Sequence, residues 1–286
     1  MTVLESIKLS TEYFEKKGIE APRANAEILL AHILKCKRLD LYLSFDKPLK
    51  DEEVIIFREY LKRRARFEPL QYIVGDVEFY GLTFKVNPSV LIPRQETEIL
   101  VETIISNLDK ECSCSILDIG TGTGNIPITL AKYLPAASFT TVDVSAGALY
   151  LGKENAKLNE VEDQIIFVEG NILDEGFNIV NKFDVIVSNP PYVALDEYKT
   201  LQAEILDFEP GNAVTDFSDG FTFYRKISAR AEKLLKTNGK LFFEVGKGQS
   251  DVVAGIMREN NFTNISIKKD YLNIERVIYG ELICEL

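Results

Sequence analysis

The 286-residue sequence is poor in the residues that build disulfide and metal sites, since it has four cysteines and one histidine. Cys112 and Cys114 are spaced C-x-C, but Cys36 and Cys284 form no second pair of this kind, and His32 is distant from both. These absences argue against a disulfide framework and against a zinc site. They predict free thiols in a reducing compartment and no bound metal.

Long apolar runs are also missing from the sequence. No segment approaches the roughly 20 apolar residues that a membrane-spanning helix requires. Charged residues interrupt the opening stretch "MTVLESIKLSTEYFEKKGIE", so no secretory signal is predicted. The sequence contains no internal repeat and no low-complexity tract. We therefore expect a cytoplasmic protein that is not attached to a membrane.

The net charge of −11 is unevenly distributed. Residues 1–80 are electrically neutral, and the rest of the chain carries the whole acidic excess. An acidic main domain is poorly suited to duplex nucleic acid, because that affinity comes largely from neutralised phosphates. The basic run "KRRAR" at residues 62–66 is interpreted as a solvated helix face. Stable nucleic-acid binding is not predicted.

The spacing of apolar residues divides the chain into three parts. In residues 1–70, apolar positions recur three and four apart, which predicts a small all-helical domain. In "QYIVGDVEFYGLTFKVNP", apolar and polar residues alternate around two glycines, which predicts a β-hairpin connector over residues 71–92. Helix and strand patterns then alternate through residues 93–286. This alternation predicts an α/β domain with a mostly parallel sheet covered on both faces.

A glycine-rich loop follows the first predicted strand of this domain. The segment "ILDIGTGTGN" places Gly120, Gly122 and Gly124 between a strand and a helix, where glycine permits a tight turn and the helix start offers free N–H groups. Asp143 follows the next strand, 19 residues after Gly124, and could accept hydrogen bonds from both hydroxyls of a ribose. The pattern predicts an adenosine-type cofactor, and it fits a nicotinamide dinucleotide equally well.

A second polar motif ends a later strand. In "FDVIVSNPPYVAL", residues 183–195, a run of apolar residues stops at Asn189, Pro190, Pro191 and Tyr192. A rigid turn would explain two prolines without any function. Ligands of open α/β sheets, however, bind beyond the carboxyl ends of the strands. The motif is therefore predicted to lie at the same sheet edge as the glycine loop.

The chemistry of the second motif suits an NH₂ group. An amide nitrogen is a poor nucleophile, because its lone pair is delocalised into the carbonyl group. The side-chain oxygen of Asn189 and the carbonyl of Pro190 could accept both N–H hydrogens, while Tyr192 could stack on the planar group. If S-adenosylmethionine were the cofactor, positioning the reactants could lower the barrier by on the order of 7–11 kcal/mol.

Together these motifs resemble the amino-group methyltransferases that use S-adenosylmethionine. Nearly the whole chain resembles the HemK/PrmC family, which methylates the side-chain amide of a glutamine in peptide chain release factors. The resemblance runs from about residue 68 to residue 280. Its further matches are "EPLQYIVGDVEFYGLTFKVNPSVLIPRQETEILVE", "EPGNAV", "DGFTFYRKI", "FFEVGKGQ" and "KDYLNIERVIYG".

The resemblance implies a fold, a reaction and a partner. The fold would be that of a class I S-adenosylmethionine-dependent methyltransferase, with a Rossmann-like, mostly parallel seven-stranded sheet. The helical N-terminal domain would hold the protein substrate. The reaction would methylate N5 of the glutamine in the glycine-glycine-glutamine loop of release factors. The protein is expected to be a monomer.

The resemblance also assigns site residues by position. The cofactor would be bound by Gly120, Thr121, Gly122, Thr123, Gly124, Asp143, Asn171, Ile172 and Asn189. The target glutamine would be held by Asn189, Pro190, Pro191 and Tyr192, of which Asn189, Pro190 and Tyr192 would be catalytic. Two positions depart from the family pattern, since Gln95 replaces a proline and Asn171 replaces a common acid. The second departure leaves the adenine contacts of Asn171 and Ile172 open.

Four alternatives remain from the sequence. Adenine-N6 methylation of DNA poses the same NH₂ problem, but the acidic domain argues against it. Glutamine methylation of a ribosomal protein is not distinguished by these motifs. A nicotinamide-dependent oxidoreductase would leave Asn189 to Tyr192 without a role. A silent adaptor is disfavoured by the intact Asp143 and Asn189.

Overall fold

The computed structural model of the protein describes residues 1–283. The chain forms two compact units, Met1–Asp76 and Val77–Leu286. Cys284 and the last two residues of the predicted 93–286 domain lie outside the described residues. Cys36, Cys112 and Cys114 are free cysteines. In the part of the chain that is described, no helix is both long and apolar enough to cross a membrane.

The first unit is helical, as its apolar spacing predicts. Its helices are α1 (Val3–Lys17), α2 (Pro22–Leu34), α3 (Asp51–Arg64) and α4 (Leu70–Val74). Helix α1 begins at a capping box, in which the Thr2 hydroxyl accepts from the backbone N–H of Glu5 and the Glu5 carboxylate accepts from that of Thr2. It ends at Gly18, whose φ of 72° is left-handed.

A short β-hairpin follows α4. It consists of β1 (Asp76–Phe79) and β2 (Leu82–Lys85). Its two turn residues, Tyr80 and Gly81, have φ values of 51° and 76°, as the tight turns of hairpins require. The hairpin is therefore shorter than the alternating pattern predicts. The prediction of a strand in the residues before Gly75 was wrong, because they form the helical turn α4. A short alternating stretch is compatible with either a strand or one helical turn. Gly75, at φ 94°, ends the turn as a left-handed cap.

The second unit contains a seven-stranded sheet. Its strands are β3 (Ser115–Ile119), β4 (Ser138–Asp143), β5 (Ile165–Glu169), β6 (Phe183–Ser188), β7 (Leu235–Glu244), β8 (Phe262–Lys269) and β9 (Glu275–Leu282). They lie in the order β5-β4-β3-β6-β7-β9-β8. Strands β3 to β7 pair in parallel, and β9 pairs antiparallel with both β7 and β8. The predicted mostly parallel sheet is confirmed.

Helices cover both faces of this sheet. They are α5 (Thr97–Asn107), α6 (Asn125–Tyr133), α7 (Ala146–Leu158), α10 (Thr222–Leu234) and α11 (Ser250–Glu259). Two short helices, α8 (Leu195–Tyr198) and α9 (Ala203–Phe208), lie in the connection between β6 and α10. Alternation along β3 shows the two faces, since Ile116 packs with α5 and α6 residues while Leu117 and Ile119 pack with those of α10 and α11. A strand buried on both faces explains the continuous apolar run of this segment.

The strand order places a crevice between β3 and β6. The chain passes from β3 outward to β5 and then returns to the other side of β3, and ligands of open α/β sheets bind at such a switch point. The carboxyl ends of the strands are joined there. Ser188 donates from its hydroxyl to the carbonyl of Ile119 at 2.7 Å, and Gly120 donates from its N–H to that of Val142 at 2.9 Å.

Candidate active site

The glycine loop leaves β3 and becomes the start of α6. Gly122 and Gly124 have φ values of 53° and 79°, which glycine adopts without the steric penalty of other residues. Nothing lies within 4 Å of a Cβ built on Gly122, whereas a Cβ on Gly124 would lie 2.7 Å from Cδ1 of Ile128. Gly122 therefore leaves open space, and Gly124 allows the loop to pack on its own helix.

Asp143, the last residue of β4, is held by backbone donors. Its Oδ2 accepts from the N–H of Gly122 at 2.9 Å, and its Oδ1 accepts from the N–H of Ser145 at 2.9 Å. The carboxylate thus connects the glycine loop to the start of α7. Each oxygen keeps a further lone pair with which to accept a ligand hydroxyl.

A buried carboxyl lies beneath the glycine loop. Asp118 in β3 is fully buried, and burial raises its pKa to about 7. Its Oδ2 accepts from the hydroxyl of Thr141 at 2.6 Å, and Thr141 also hydrogen-bonds to Thr121. These contacts support the loop from inside the sheet.

Asn189 follows the last residue of β6. Its Nδ2 donates to Oγ1 of Thr97, the first residue of α5, at 3.1 Å. Its Oδ1 accepts no hydrogen bond from the described part of the chain. The backbone carbonyl of Asn189 lies 4.0 Å from a Cβ built on Gly120, so the two motifs meet at the crevice. The acceptor oxygen of the amide is thus left for a ligand.

The Tyr192 side chain reaches Glu244, the last residue of β7. Its hydroxyl donates to Oε1 of Glu244 at 3.4 Å, and burial raises its pKa. Its carbonyl accepts from Nε2 of Gln249 at 2.9 Å, and Gln249 in turn accepts from the N–H of Gly246. The motif is therefore clamped to the end of β7. The stacking role assigned to Tyr192 stays a prediction.

One cavity of about 400 Å³ connects the two motifs. It contains most of the residues that the sequence assigns to the site, and it does not contain Gly124 or Tyr192. The assigned residues that line it are Gly120, Thr121, Gly122, Thr123, Asp143, Asn171, Ile172, Asn189, Pro190 and Pro191. Among residues 1–283, no group of three or more His, Cys, Asp or Glu side chains is arranged to hold a metal ion.

The wall beyond β5 contains the two residues whose contacts the sequence leaves open. The Asn171 side chain accepts from the N–H of Leu173 at 2.9 Å, so its oxygen is used within its own loop. Ile172 is buried and presents an apolar side chain. The N–H of Gly170 donates to the carbonyl of Asp143 at 3.0 Å, which places this segment beside the carboxylate.

Several lining residues have no role in the sequence predictions. They come from the segment after the hairpin and from two later segments, and they include Ser89, Val90, Leu91, Pro93, Asn212 and Phe223. The lining residues after the hairpin belong to the stretch "NPSVLIPRQETE". The family resemblance of this stretch is the sequence signal that could have identified them. The strand just before this stretch is held by α7, since Asn155 donates to the carbonyl of Lys85 at 3.1 Å.

Comparisons with known proteins agree with this architecture. The PrmC N-terminal domain model matches residues 5–75, and the methyltransferase small domain model matches residues 83–207. A release factor glutamine methyltransferase of Fusobacterium nucleatum is 43% identical over 282 residues, which is 97% of this chain and 78% of that protein. The chain belongs to the release factor glutamine methyltransferase family.

Two further comparisons support this assignment and the fold. The release factor glutamine methyltransferase of Chlorobaculum tepidum is 40% identical, over 96% of this chain and 95% of that protein. A crystal structure of a methyltransferase from Pyrococcus furiosus has the same fold, with a TM-score of 0.53 and 17% identity over 72% of this chain and 91% of that chain. The predicted fold class and family are confirmed.

In this family member, an ion pair joins two segments at the cavity. Arg94 donates to Oε1 of Glu209 at 2.6 Å, and the side chains are 36% and 3% exposed. Burial raises the pKa of Glu209, while the guanidinium of Arg94 opposes this effect. The pair fastens the segment before α5 to the segment after α9. Arg94 and the neighbouring Pro210 both line the cavity.

Replacing Arg94 by alanine is expected to lower the free energy of unfolding by about 3 kcal/mol at pH 8, because it leaves the buried carboxylate of Glu209 unpaired. Without the guanidinium the pKa of Glu209 rises further, so the loss should shrink as the pH falls and the carboxyl becomes neutral. Urea unfolding at pH 8 and pH 5.5 measures both effects.

Arg225→Ala is the matched control for this experiment. Arg225 pairs with Asp219 at 2.6 Å, but both side chains are half-exposed, at 51% and 49%. Such a pair contributes less than about 1 kcal/mol. Equal losses in the two variants, or a loss in Arg94→Ala that grows at low pH, would contradict the account of the buried pair.

Proposed function

We propose that this protein transfers a methyl group from S-adenosylmethionine to N5 of the glutamine in the glycine-glycine-glutamine loop of peptide chain release factors, in the cytoplasm. The observation that carries the proposal is the orientation of Asn189. Its Nδ2 is engaged by Thr97 at 3.1 Å, and its free Oδ1 belongs to a residue that lines the cavity beside the glycine loop. An acceptor in that place suits an NH₂ group.

The residues of the cavity fit S-adenosylmethionine. The open backbone at Gly122 leaves room for a ligand against the start of α6, and the carboxylate of Asp143 would accept hydrogen bonds from the ribose hydroxyls. The apolar side chain of Ile172 would flank the adenine. The bound cofactor supplies an electrophilic methyl group on a sulfonium centre.

Asn189 and Pro190 would then position the nucleophile. The Oδ1 of Asn189 and the carbonyl of Pro190 accept the two N–H hydrogens of the glutamine amide and hold its nitrogen against the reacting carbon. Pro190 and Pro191 have no N–H groups, so they offer no competing donor. Transfer would form the N–C bond and break the bond between the methyl carbon and sulfur, leaving S-adenosylhomocysteine. The methylated nitrogen would be acidic and would lose one proton to water. No strong base is required, because the rate enhancement comes from holding the two reactants in position.

The helical unit Met1–Asp76 is assigned to the protein substrate. The PrmC N-terminal domain model matches residues 5–75, and the relatives that match over nearly the whole chain are named for release factors. We propose that this unit binds the release factor while the second unit carries the chemistry. We propose further that the enzyme acts as a monomer and binds no nucleic acid stably.

Transfer of tritiated methyl groups tests the proposal. Purified enzyme is offered a release factor, a ribosomal protein and adenine-containing DNA in parallel, each with labelled S-adenosylmethionine. Label is expected on the release factor, and it should disappear when the glutamine of the glycine-glycine-glutamine loop is replaced by alanine. Label on DNA, or on the ribosomal protein alone, would contradict the proposed substrate.

A further inference from the structure

A buried carboxyl lies behind the proposed amide site. Strand β6 pairs in parallel with β7, and Ser188 is opposite Phe243. The next residues along the two strands are Asn189 and Glu244, so the register brings them side by side at the sheet edge. Glu244 is only 1% exposed. Because water does not reach this carboxyl, its hydrogen-bond partners have to come from neighbouring protein groups.

The surroundings of Glu244 contain hydroxyl donors. The Tyr192 hydroxyl donates to Oε1 at 3.4 Å, and Oε2 has no hydrogen-bond partner within residues 1–283. Burial raises the pKa of Glu244 to about 7, and the nearby Thr97 hydroxyl is the largest influence that lowers it. The other charged or titratable groups that face this carboxyl are Glu96, Arg276, Tyr192 and Tyr224.

Thr97 connects this carboxyl to the site. Its Oγ1 already accepts from Nδ2 of Asn189 at 3.1 Å, so its single proton is left to be donated elsewhere. An ionised carboxylate can only accept. With Glu244 ionised, Asn189 donates to Thr97, and the Thr97 proton can be donated to the unpartnered Oε2 of Glu244. This direction obliges the Asn189 amide to turn its nitrogen to Thr97 and its oxygen to the cavity.

We propose that Glu244 is a positioning residue, whose carboxylate acts through Thr97 to orient the Asn189 amide so that its oxygen faces the glutamine NH₂. The inference rests on the proposed function and deepens it. When Glu244 is protonated it can donate to Thr97, which then donates to the Asn189 oxygen. Asn189 would then turn its own NH₂ to the substrate. Its N–H donors would face the N–H donors of the glutamine amide, and no hydrogen bond could form between them.

The first test is the side-chain amide signal of Asn189 in the NMR spectrum of the wild-type enzyme, assigned by its absence in Asn189→Ala. Its chemical shift should change with a midpoint near pH 7, where Glu244 titrates. The change should disappear in Glu244→Gln. This readout does not depend on methyl transfer. A wild-type signal that is constant from pH 5.5 to 8.5, or one that titrates equally in Glu244→Gln, would overturn the inference.

The second test is kinetic. In the wild type, kcat should fall as the pH drops below about 7, approaching tenfold per pH unit. Glu244→Gln and Thr97→Val should each lower kcat at pH 8 by about 10–100-fold and flatten the profile, while KM for the release factor and the Kd of S-adenosylhomocysteine change by less than about threefold. Thr97→Ser keeps the hydroxyl and should rescue most of the lost kcat.

Thr103→Val is the matched control, since Thr103 is a buried threonine of the same helix whose hydroxyl donates to the carbonyl of Ile99 at 2.6 Å. Its kcat and pH profile should equal those of the wild type. The double variant Glu244→Gln/Thr97→Val should be no worse than the worse single variant, because both changes interrupt one chain. Additive losses, or a wild-type profile in Thr97→Val, would refute the positioning role. A wild type that does not methylate the release factor would instead refute the proposed function.

Discussion

Replacement of Asn189 by alanine is expected to lower kcat/KM for release factor methylation by on the order of 10³-fold. The change removes the oxygen proposed to accept one N–H hydrogen of the glutamine amide. Loss of one preorganised polar group at a reacting centre costs about 10²–10³-fold. It also removes the hydrogen bond to Thr97, so the residue after β6 no longer contacts the start of α5 through this bond. The assay is steady-state methyl transfer with saturating cofactor.

Two comparisons make this prediction specific. Asn181→Ala changes an exposed asparagine remote from the cavity and should leave kcat/KM unchanged. S-adenosylhomocysteine should still bind Asn189→Ala with a Kd within about tenfold of the wild type, because Asp143 and the glycine loop remain. Undiminished turnover in Asn189→Ala would remove the basis of the proposed mechanism.

Replacement of Asp143 by alanine should raise the Kd of S-adenosylhomocysteine by on the order of 10²–10³-fold. Hydrogen bonds to a charged acceptor contribute about 1.5–3 kcal/mol each, and the carboxylate is proposed to accept from the ribose hydroxyls. The variant also leaves the N–H groups of Gly122 and Ser145 without their acceptor, which loosens the loop. Isothermal titration calorimetry measures the change directly.

Thermal unfolding provides the control for this prediction. At a concentration about 100 times its Kd, S-adenosylhomocysteine should stabilise the wild type by about 2.7 kcal/mol, and Asp163→Ala, an exposed carboxylate in the turn before β5, should respond equally. Asp143→Ala should be stabilised by less than about 0.4 kcal/mol at that concentration. Stabilisation by NADH would favour the nicotinamide alternative that the glycine loop alone leaves open.

The parts of the structure that depend on local periodicity could be predicted from the sequence. The alternation of helix and strand predicts the parallel sheet, and the left-handed glycines of the loop explain why "GTGTG" lies between β3 and α6. Asp143 and Asn189 could be placed at one sheet edge, because carboxyl ends of parallel strands share an edge. The β-hairpin prediction failed for one short segment, because the four residues before Gly75 belong to a helical turn.

The buried polar contacts could not be predicted. Glu244 meets Tyr192 across 52 residues of chain, and Asn189 meets Thr97 across 92. No local period encodes such partners, because they are set by which strands pair and by where α5 packs on the sheet. The direction of Tyr192 has the same origin: a buried hydroxyl needs an acceptor, and Glu244 supplies it. The sequence motif identifies these residues without orienting them.

In the proposed mechanism, Asn189 and Pro190 together accept the two hydrogens of the substrate amide. The structure of the enzyme in complex with a release factor and S-adenosylhomocysteine tests it most directly. We expect the glutamine amide nitrogen at about 3 Å from both Oδ1 of Asn189 and the carbonyl oxygen of Pro190. A glutamine whose carbonyl oxygen faces Asn189, or whose amide lies outside the cavity, would contradict it.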